Sequence, residues 1–395
     1  MRNHLTAVRL GQELSASTNA FVEPIFKELV ELDLLKEISG VDHVCYRVPD
    51  VASYEEFKRA FSPLGLLLSE AFINGRPIAC YKLHTPIKTS IGLEIGVVEL
   101  PAPREGVAYP EGFEHIEIVT GVDLQVLLKR YPTLPFNLQN YSAASNRDVS
   151  LKLKSGVVKF HERSLEEVIL EEKAAINNRP EKWIAVLDLD DTLLDSRQPF
   201  LMAIHKALEK YLGKSIPFET IEEKARPTFP EFFANFGVLS TEAIEGVIEF
   251  FKLEWPSVMN ACSVPLGIPS LLSCLVSEGV DIHVWTARDK DTVKTSLETF
   301  GINQFVKCIH AFDGRSVGKP TPSDKLRSIC SEGRTVLVGD SQADCRGAAS
   351  LGVKFLQASW VREGAIGASN EALCSSPLVA LSKMMVVYQS SHGKS

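Results

Sequence analysis

The chain has 395 residues, 45% of them hydrophobic, which is ample for globular cores and too long for one ordinary domain, so two or three domains are expected. A formal net charge of -8 and a pI near 5.7 argue against nucleic acid or an anionic membrane as a main partner. No apolar run reaches membrane-spanning length, Met1 to Leu10 carries charges without an apolar signal core, and the eight cysteines form no Cys-x-x-Cys pair. Unpaired thiols in a reducing cytoplasm are therefore expected.

Strand-like segments recur around short helices in the first 172 residues. Strands are predicted near residues 42–48, 66–73, 78–83 and 93–100, with a helix at 54–61 after the first of them. A second round begins with a strand at 113–119 and a helix at 124–131, and ends in strands within 149–160. A strand, a helix and several strands, performed twice, predict an α+β domain over 1–172. Its paired βαβββ modules suggest a cupped sheet of the vicinal oxygen chelate architecture.

Longer strings sharpen this to a family. Asp42-His43, Leu68-Ser69-Glu70 with Ile73-Asn74-Gly75-Arg76-Pro77-Ile78, and Val98-Glu99-Leu100-Pro101 stand in the first module. Tyr109-Pro110-Glu111-Gly112-Phe113-Glu114-His115-Ile116-Glu117 and Lys159-Phe160-His161 with Ser164-Leu165-Glu166-Glu167 stand in the second. From near residue 20 to 172 the chain resembles the YecM family. No activity is settled for that family, so the resemblance implies a fold and a candidate site rather than a reaction.

In the related glyoxalases and extradiol dioxygenases, His and Glu side chains of the module strands converge on one divalent metal. That resemblance implies His43 and His115 at equivalent places on the first strand of each module, Glu99 at the end of the first module, and His161 as a fourth ligand. Two imidazoles and a carboxylate suit Zn2+, Ni2+, Mn2+ or Fe2+. The alternative is that these are hydrogen-bonded strand residues in a domain without metal. Arg76, in the Asn-Gly-Arg-Pro turn, is either an anion contact beside the cup or a turn-stabilising arginine.

The polar run Glu171-Glu172-Lys173-Ala174-Ala175-Ile176-Asn177-Asn178-Arg179-Pro180-Glu181 suggests a linker at 173–182, followed by a second domain at 183–385 and a tail at 386–395. The second domain opens on Ile184-Ala185-Val186-Leu187-Asp188-Leu189-Asp190-Asp191-Thr192-Leu193, a buried-strand pattern that ends in carboxylates. Phosphoryl transfer needs an oxygen nucleophile, a divalent cation and an acid or base for the leaving oxygen. Carboxylates two residues apart on a strand end can meet those needs.

Three more segments follow in order: the strand Val280-Asp281-Ile282-His283-Val284-Trp285-Thr286, the loop Gly318-Lys319-Pro320, and the strand Thr335-Val336-Leu337-Val338-Gly339-Asp340-Ser341 with Asp344 beyond it. Alone, Thr286 reads equally as a helix cap, Lys319 as a solvated charge, and Asp340 with Asp344 as a turn and a helix start. Together, over about residues 182 to 385, they resemble the haloacid dehalogenase superfamily. The resemblance implies a Rossmann-like α/β core in which Asp188 is the nucleophile and Asp190 the general acid and base. It also implies that Thr286 and Lys319 bind the phosphoryl group and that Mg2+ is held by Asp188, Asp190, Asp340 and Asp344. Aspartate at position 190 excludes the dehalogenases, which lack it, and the cation-pumping ATPases, which have threonine there.

About ninety residues separate the first two motifs, far more than a crossover requires. Apolar residues at helical spacing in 201–212 and in 241–255, through Ile244, Val247, Ile248 and Phe251, predict an inserted helical cap at about 197–263. It resembles the cap of the phosphoglycolate-phosphatase-like branch. Candidate substrate readers are Arg226, Lys224 and the aromatics Phe229, Phe232, Phe233 and Phe236, with cap core and a solvated helix face as the alternatives. The expected activity is a phosphatase acting on a small phosphorylated metabolite. A phosphomutase, or an N-terminal isomerase or oxygenase with a regulatory C-terminal half, are the rivals.

Overall fold

The computed structural model describes residues 7–143, 146–213, 215–224, 233–312, 318–362, 369 and 371–390, and divides into two compact units near residues 179 and 180. No helix among the described residues is long and apolar enough to cross a membrane. All eight cysteines are free thiols, and only Cys308 and Cys345 are not fully buried.

The first unit is built on a seven-stranded sheet in the order β2-β3-β4-β1-β5-β7-β6. Its strands are β1 (Ile38–Arg47), β2 (Gly65–Ile73), β3 (Arg76–Lys88), β4 (Glu94–Pro101), β5 (Gly112–Thr120), β6 (Asp148–Lys152) and β7 (Val157–His161). At the centre β1 and β5 run antiparallel with Val44 opposite Ile116, and each carries a parallel neighbour, β4 beside β1 and β7 beside β5. Helices Val51–Phe61 and Leu124–Arg130 follow the first strand of each module, capped by the carboxylates of Asp50 and Asp123 on the amides of Ser53 and Gln125 at 2.7 Å. The second module has two strands after its helix. Between Arg130 and Asp148 the described chain makes only an isolated bridge, Asn137 with Ser150, and Pro132 and Pro135 lack the amide protons a further ladder would need.

Alternation along these strands creates the site. Val44, Val98, Leu100, Ile116, Ile118, Val158 and Phe160 are fully buried in the core. The residues between them, His43, Cys45, Glu99, His115, Glu117, Lys159 and His161, therefore share the opposite face. Each buried apolar side chain contributes roughly 1.5–3 kcal/mol to holding that register, because a one-residue slip would exchange the two faces. Beyond β7, Ser164 and Glu167 form a capping box on the helix Leu165–Asn177. The polar run expected as a linker from 173 is thus a solvated helix surface as far as Asn177.

The second unit holds a six-stranded parallel sheet in the order β10-β9-β8-β11-β12-β13. These strands are β8 (Lys182–Leu187), β9 (Val280–Asp289), β10 (Cys308–Phe312), β11 (Gly333–Gly339), β12 (Lys354–Ala358) and β13 (Leu373–Cys374). Ile184, Ala185, Val186 and Leu187 are all buried, as a strand covered on both faces requires. Central β8 lies between β9 and β11, and the crevice beyond their carboxyl ends is where side chains of all three meet.

Helices Arg197–Leu212, Phe218–Glu223 and Thr241–Ala261 are inserted between β8 and β9 around their own core, which includes Leu208, Ile221, Phe233 and Val247. Reciprocal backbone hydrogen bonds of Asp195 and Ser263, 2.8 and 3.2 Å, tie the two chains that enter and leave this insertion. Phe233 is core and Phe236 packs against it, while Lys224 folds back over the Phe236 ring at 5.0 Å. These three serve the cap's own packing, and Arg226, Phe229 and Phe232 lie outside the described residues. The last helix, Pro377–Gln389, includes residues 386–389, so the segment expected as a tail from 386 is helical as far as Gln389.

Candidate active site and metal centres

In the second unit Asp188 follows β8, and its amide donates to the Val338 carbonyl of β11 at 2.9 Å. Lys319 reaches it from the loop before the helix Asp324–Ser331: Nζ donates to Asp188 Oδ1 at 2.5 Å and to the Trp285 carbonyl at 3.0 Å, and is ion-paired with Asp344. Asp344 stands in the first turn of the helix Gln342–Leu351, where its carboxylate accepts from the Ser341 amide at 3.0 Å in a capping box. Asp188, Asp340 and Asp344 each offer an oxygen within 4.8 Å of the others. All three side chains are buried.

Burial and the charges of Asp344 and Asp340 push Asp188 well above the usual carboxylate range despite Lys319. Burial, Asp344 and Asp191 push Asp340 up to about 7. Burial alone would lower Lys319, but Asp188 and Asp344 hold it above the usual lysine value, so the ammonium stays charged. One lysine facing three buried carboxylates leaves a deficit of positive charge, which suits an oxygen-seeking divalent cation such as Mg2+.

Asp190 lies at the rim, its side chain 36% exposed. Oδ1 accepts from Ser196 Oγ at 2.6 Å and from the Arg288 guanidinium. Thr286 is buried near the end of β9, its hydroxyl accepting from the Arg288 amide at 3.2 Å. Arg288 escaped sequence reasoning, although it stands two residues beyond Thr286. Its guanidinium packs over the rings of Phe200 and Trp255, at 5.2 and 4.7 Å, which the cap helices supply.

In the first unit His43, Glu99 and His115 come together, each with a ligand atom within 4.8 Å of the others. The pairing of Val44 with Ile116 makes His43 and His115 twofold equivalents, each one residue before the pair. His43 Nδ1 is held by Asp42 at 3.0 Å, and Asp42 accepts from the Leu165 amide at 3.0 Å. His43 Nε2 makes no hydrogen bond and faces carboxylate oxygens of Glu99 at 3.6 Å and Glu117 at 3.5 Å. A buried imidazole nitrogen fixed from behind by a carboxylate and ringed by acids at that spacing fits a transition-metal ligand.

Glu117, absent from the sequence-based ligand set, is the hub of the cup. It meets His115 Nε2 at 2.9 Å, His161 Nε2 at 2.5 Å and Lys159 Nζ at 2.6 Å. Two positions after His115 on one strand, it was legible as sharing that residue's face. Burial opposes its charge, but His43, His115 and His161 hold it well below the usual range. Burial likewise opposes the charge of Glu99, and the neighbouring His43 imidazole reverses this and brings it to about 2. Despite burial, Glu117 and Asp42 raise His43, and Glu114 and Glu117 raise His115. Arg76 is buried on β3, donating to the Ala102 carbonyl at 3.4 Å, with Nε unpaired and Tyr109 beside it.

Residues 11–172 match the family model described as YecM protein, and residues 185–358 match that of haloacid dehalogenase-like hydrolases. Protein YecM of Escherichia coli is 34% identical over 179 residues, 42% of this chain and 95% of that protein. Pyrophosphatase PpaX of Halalkalibacterium halodurans is 22% identical over 43% of this chain and 80% of its own length. Phosphoglycolate phosphatase of Aquifex aeolicus is 23% identical over 45% of this chain and 84% of its own length.

Proposed function

In a chain that belongs to the YecM family through its N-terminal domain and carries a haloacid dehalogenase-like hydrolase domain after it, we propose that the second domain is a Mg2+-dependent phosphatase of small phosphomonoesters working through an aspartyl-phosphate. The observation that carries this reading is Lys319 fixed between the carboxylates of Asp188 and Asp344 and the Trp285 carbonyl, beside Asp340.

Asp188 attacks phosphorus, the bond from phosphorus to the ester oxygen breaks, and the departing oxygen takes a proton from Asp190. The carboxylate of Asp190 then takes a proton from water as that water attacks the acyl phosphate, which frees inorganic phosphate and restores Asp188. Thr286 and Lys319 bind phosphoryl oxygens through their hydroxyl and ammonium groups. Asp188, Asp340, Asp344 and the Asp190 carbonyl would hold Mg2+, which would neutralise charge between nucleophile and phosphoryl group. Arg288, between Phe200 and Trp255, binds a second anionic group on the substrate. The names of the relatives support that class, since pyrophosphate and phosphoglycolate are both small molecules with a second acidic group.

The first domain, in this reading, holds a divalent transition metal on His43, Glu99 and His115, with Arg76 as an anion contact near it.

Phosphate release from a panel of phosphoglycolate, pyrophosphate, sugar phosphates and an aryl phosphate, with and without Mg2+, tests the phosphatase. Release that needs Mg2+ and is lost in Asp188→Asn is expected. Transfer of phosphate between sugar positions without free phosphate would replace this reading with a mutase.

A further inference from the structure

Away from the crevice, the second unit carries a group of soft and borderline ligands that the phosphatase chemistry does not use. Cys308 and His310 stand two residues apart on edge strand β10 and so face the same way, and the parallel register sets His283 of β9 directly beside Cys308. Ligand atoms of all three lie within 4.8 Å of one another. His283 Nδ1 and His310 Nε2 are 3.2 Å apart, and both imidazoles are buried, whereas Cys308 is half-buried.

We propose that His283, Cys308 and His310 form a binding site for a borderline-soft metal ion, Zn2+ foremost, with the fourth position open to water. Two nitrogens bound to tetrahedral zinc at about 2.0–2.1 Å stand about 3.3 Å apart, so the imidazole pair already has the needed spacing. The half-buried thiol already lies within 4.8 Å of both ring nitrogens. A Cys-His-His set is a zinc-type donor set rather than a Mg2+ one.

The nearby charges of Lys307 and Asp281 cancel in an ion pair of 2.6 Å. The site joins β9 to the sheet edge three residues before Thr286, so the bound metal fixes the strand that positions the phosphoryl-binding hydroxyl.

The test is Co2+ titration of the metal-free full-length protein, read by the thiolate-to-cobalt absorption band, followed by displacement with Zn2+. Four other groups among the described residues could hold a metal ion, three of them overlapping in the N-terminal cup and one of those including Cys45, so Cys308→Ser, His310→Gln and Cys45→Ser are compared. A thiolate band at one ion per chain that survives Cys45→Ser and is lost in both other variants is expected, with Zn2+ raising the melting temperature of the wild type more than that of Cys308→Ser. No thiolate band, or a band indifferent to Cys308→Ser, overturns the site. Thermal melts without metal verify that each variant is folded.

Discussion

Lys159 stands in the second module where Glu99 stands in the first. Glu99 is paired with Cys45 across β4 and β1, Lys159 with Glu117 across β7 and β5, and the twofold relation that carries His43 onto His115 carries one pair onto the other. The place expected for a fourth ligand therefore holds an ammonium, and His161, two residues further on, meets Glu117 instead. Burial would weaken that ammonium, but Glu117 and Glu99 raise it well above the usual lysine value, so it occupies the cup as a fixed cation.

Lys159→Glu should turn this arrangement into a full His and Glu quartet. Removing a fixed positive charge and adding a carboxylate should tighten divalent metal binding at His43, Glu99 and His115 by about tenfold or more. Calorimetry with Zn2+ and Mn2+, with the His43→Gln variant as the control, provides the measurement. Unchanged affinity would mean that the cup is not a metal centre.

Asp188→Asn should abolish turnover without unfolding the protein. The amide keeps the size of the carboxylate and removes one of three crowded acids, so the melting temperature should hold or rise. Asp190→Asn should slow turnover by about two to four orders of magnitude, the usual share of general acid-base help. Single-turnover phosphate release separates the two, since only Asp190→Asn should still trap phosphate on the enzyme.

The grouping of side chains at the ends of β8, β9 and β11 was legible because parallel strands place their terminal residues in one crevice, so local motifs suffice to put Asp188, Thr286 and Asp340 there. The cup was legible only in part. His43, Glu99 and His115 follow from the repeated modules, but the roles of Glu117 and Lys159 depend on the register between β5 and β7, which no single strand encodes. Arg288 was missed for a related reason. Its partners Phe200 and Trp255 come from separate cap helices, and of the four aromatics that sequence reading singled out, Phe233 and Phe236 belong to the cap core or pack against it.

Arg288→Ala should raise KM for substrates that carry a second anionic group. A hydrogen bond to a charged group contributes about 1.5–3 kcal/mol, or about tenfold to a hundredfold in KM. An aryl phosphate, lacking that second group, should show a much smaller rise. Equal losses on both substrate types would assign Arg288 to holding Asp190 alone.

Metal and pH should be linked in the phosphatase site. Asp188 and Asp340 sit above their unfolded pKa values, Asp340 at about 7, so the metal-free folded state binds more protons than the unfolded chain between about pH 4 and 7. Stability of the metal-free protein should therefore fall as pH rises through that window. Mg2+ binds the deprotonated carboxylates and offsets their mutual repulsion, so it should raise the melting temperature more at pH 8 than at pH 5. It should also release protons on binding at pH 7, detected as a dependence of the binding heat on the ionisation enthalpy of the buffer. The N-terminal cup is a second place for a divalent ion, so the measurement is repeated in Asp340→Asn. The Mg2+ effect should shrink there, and persistence at full size would place the titrating metal site elsewhere.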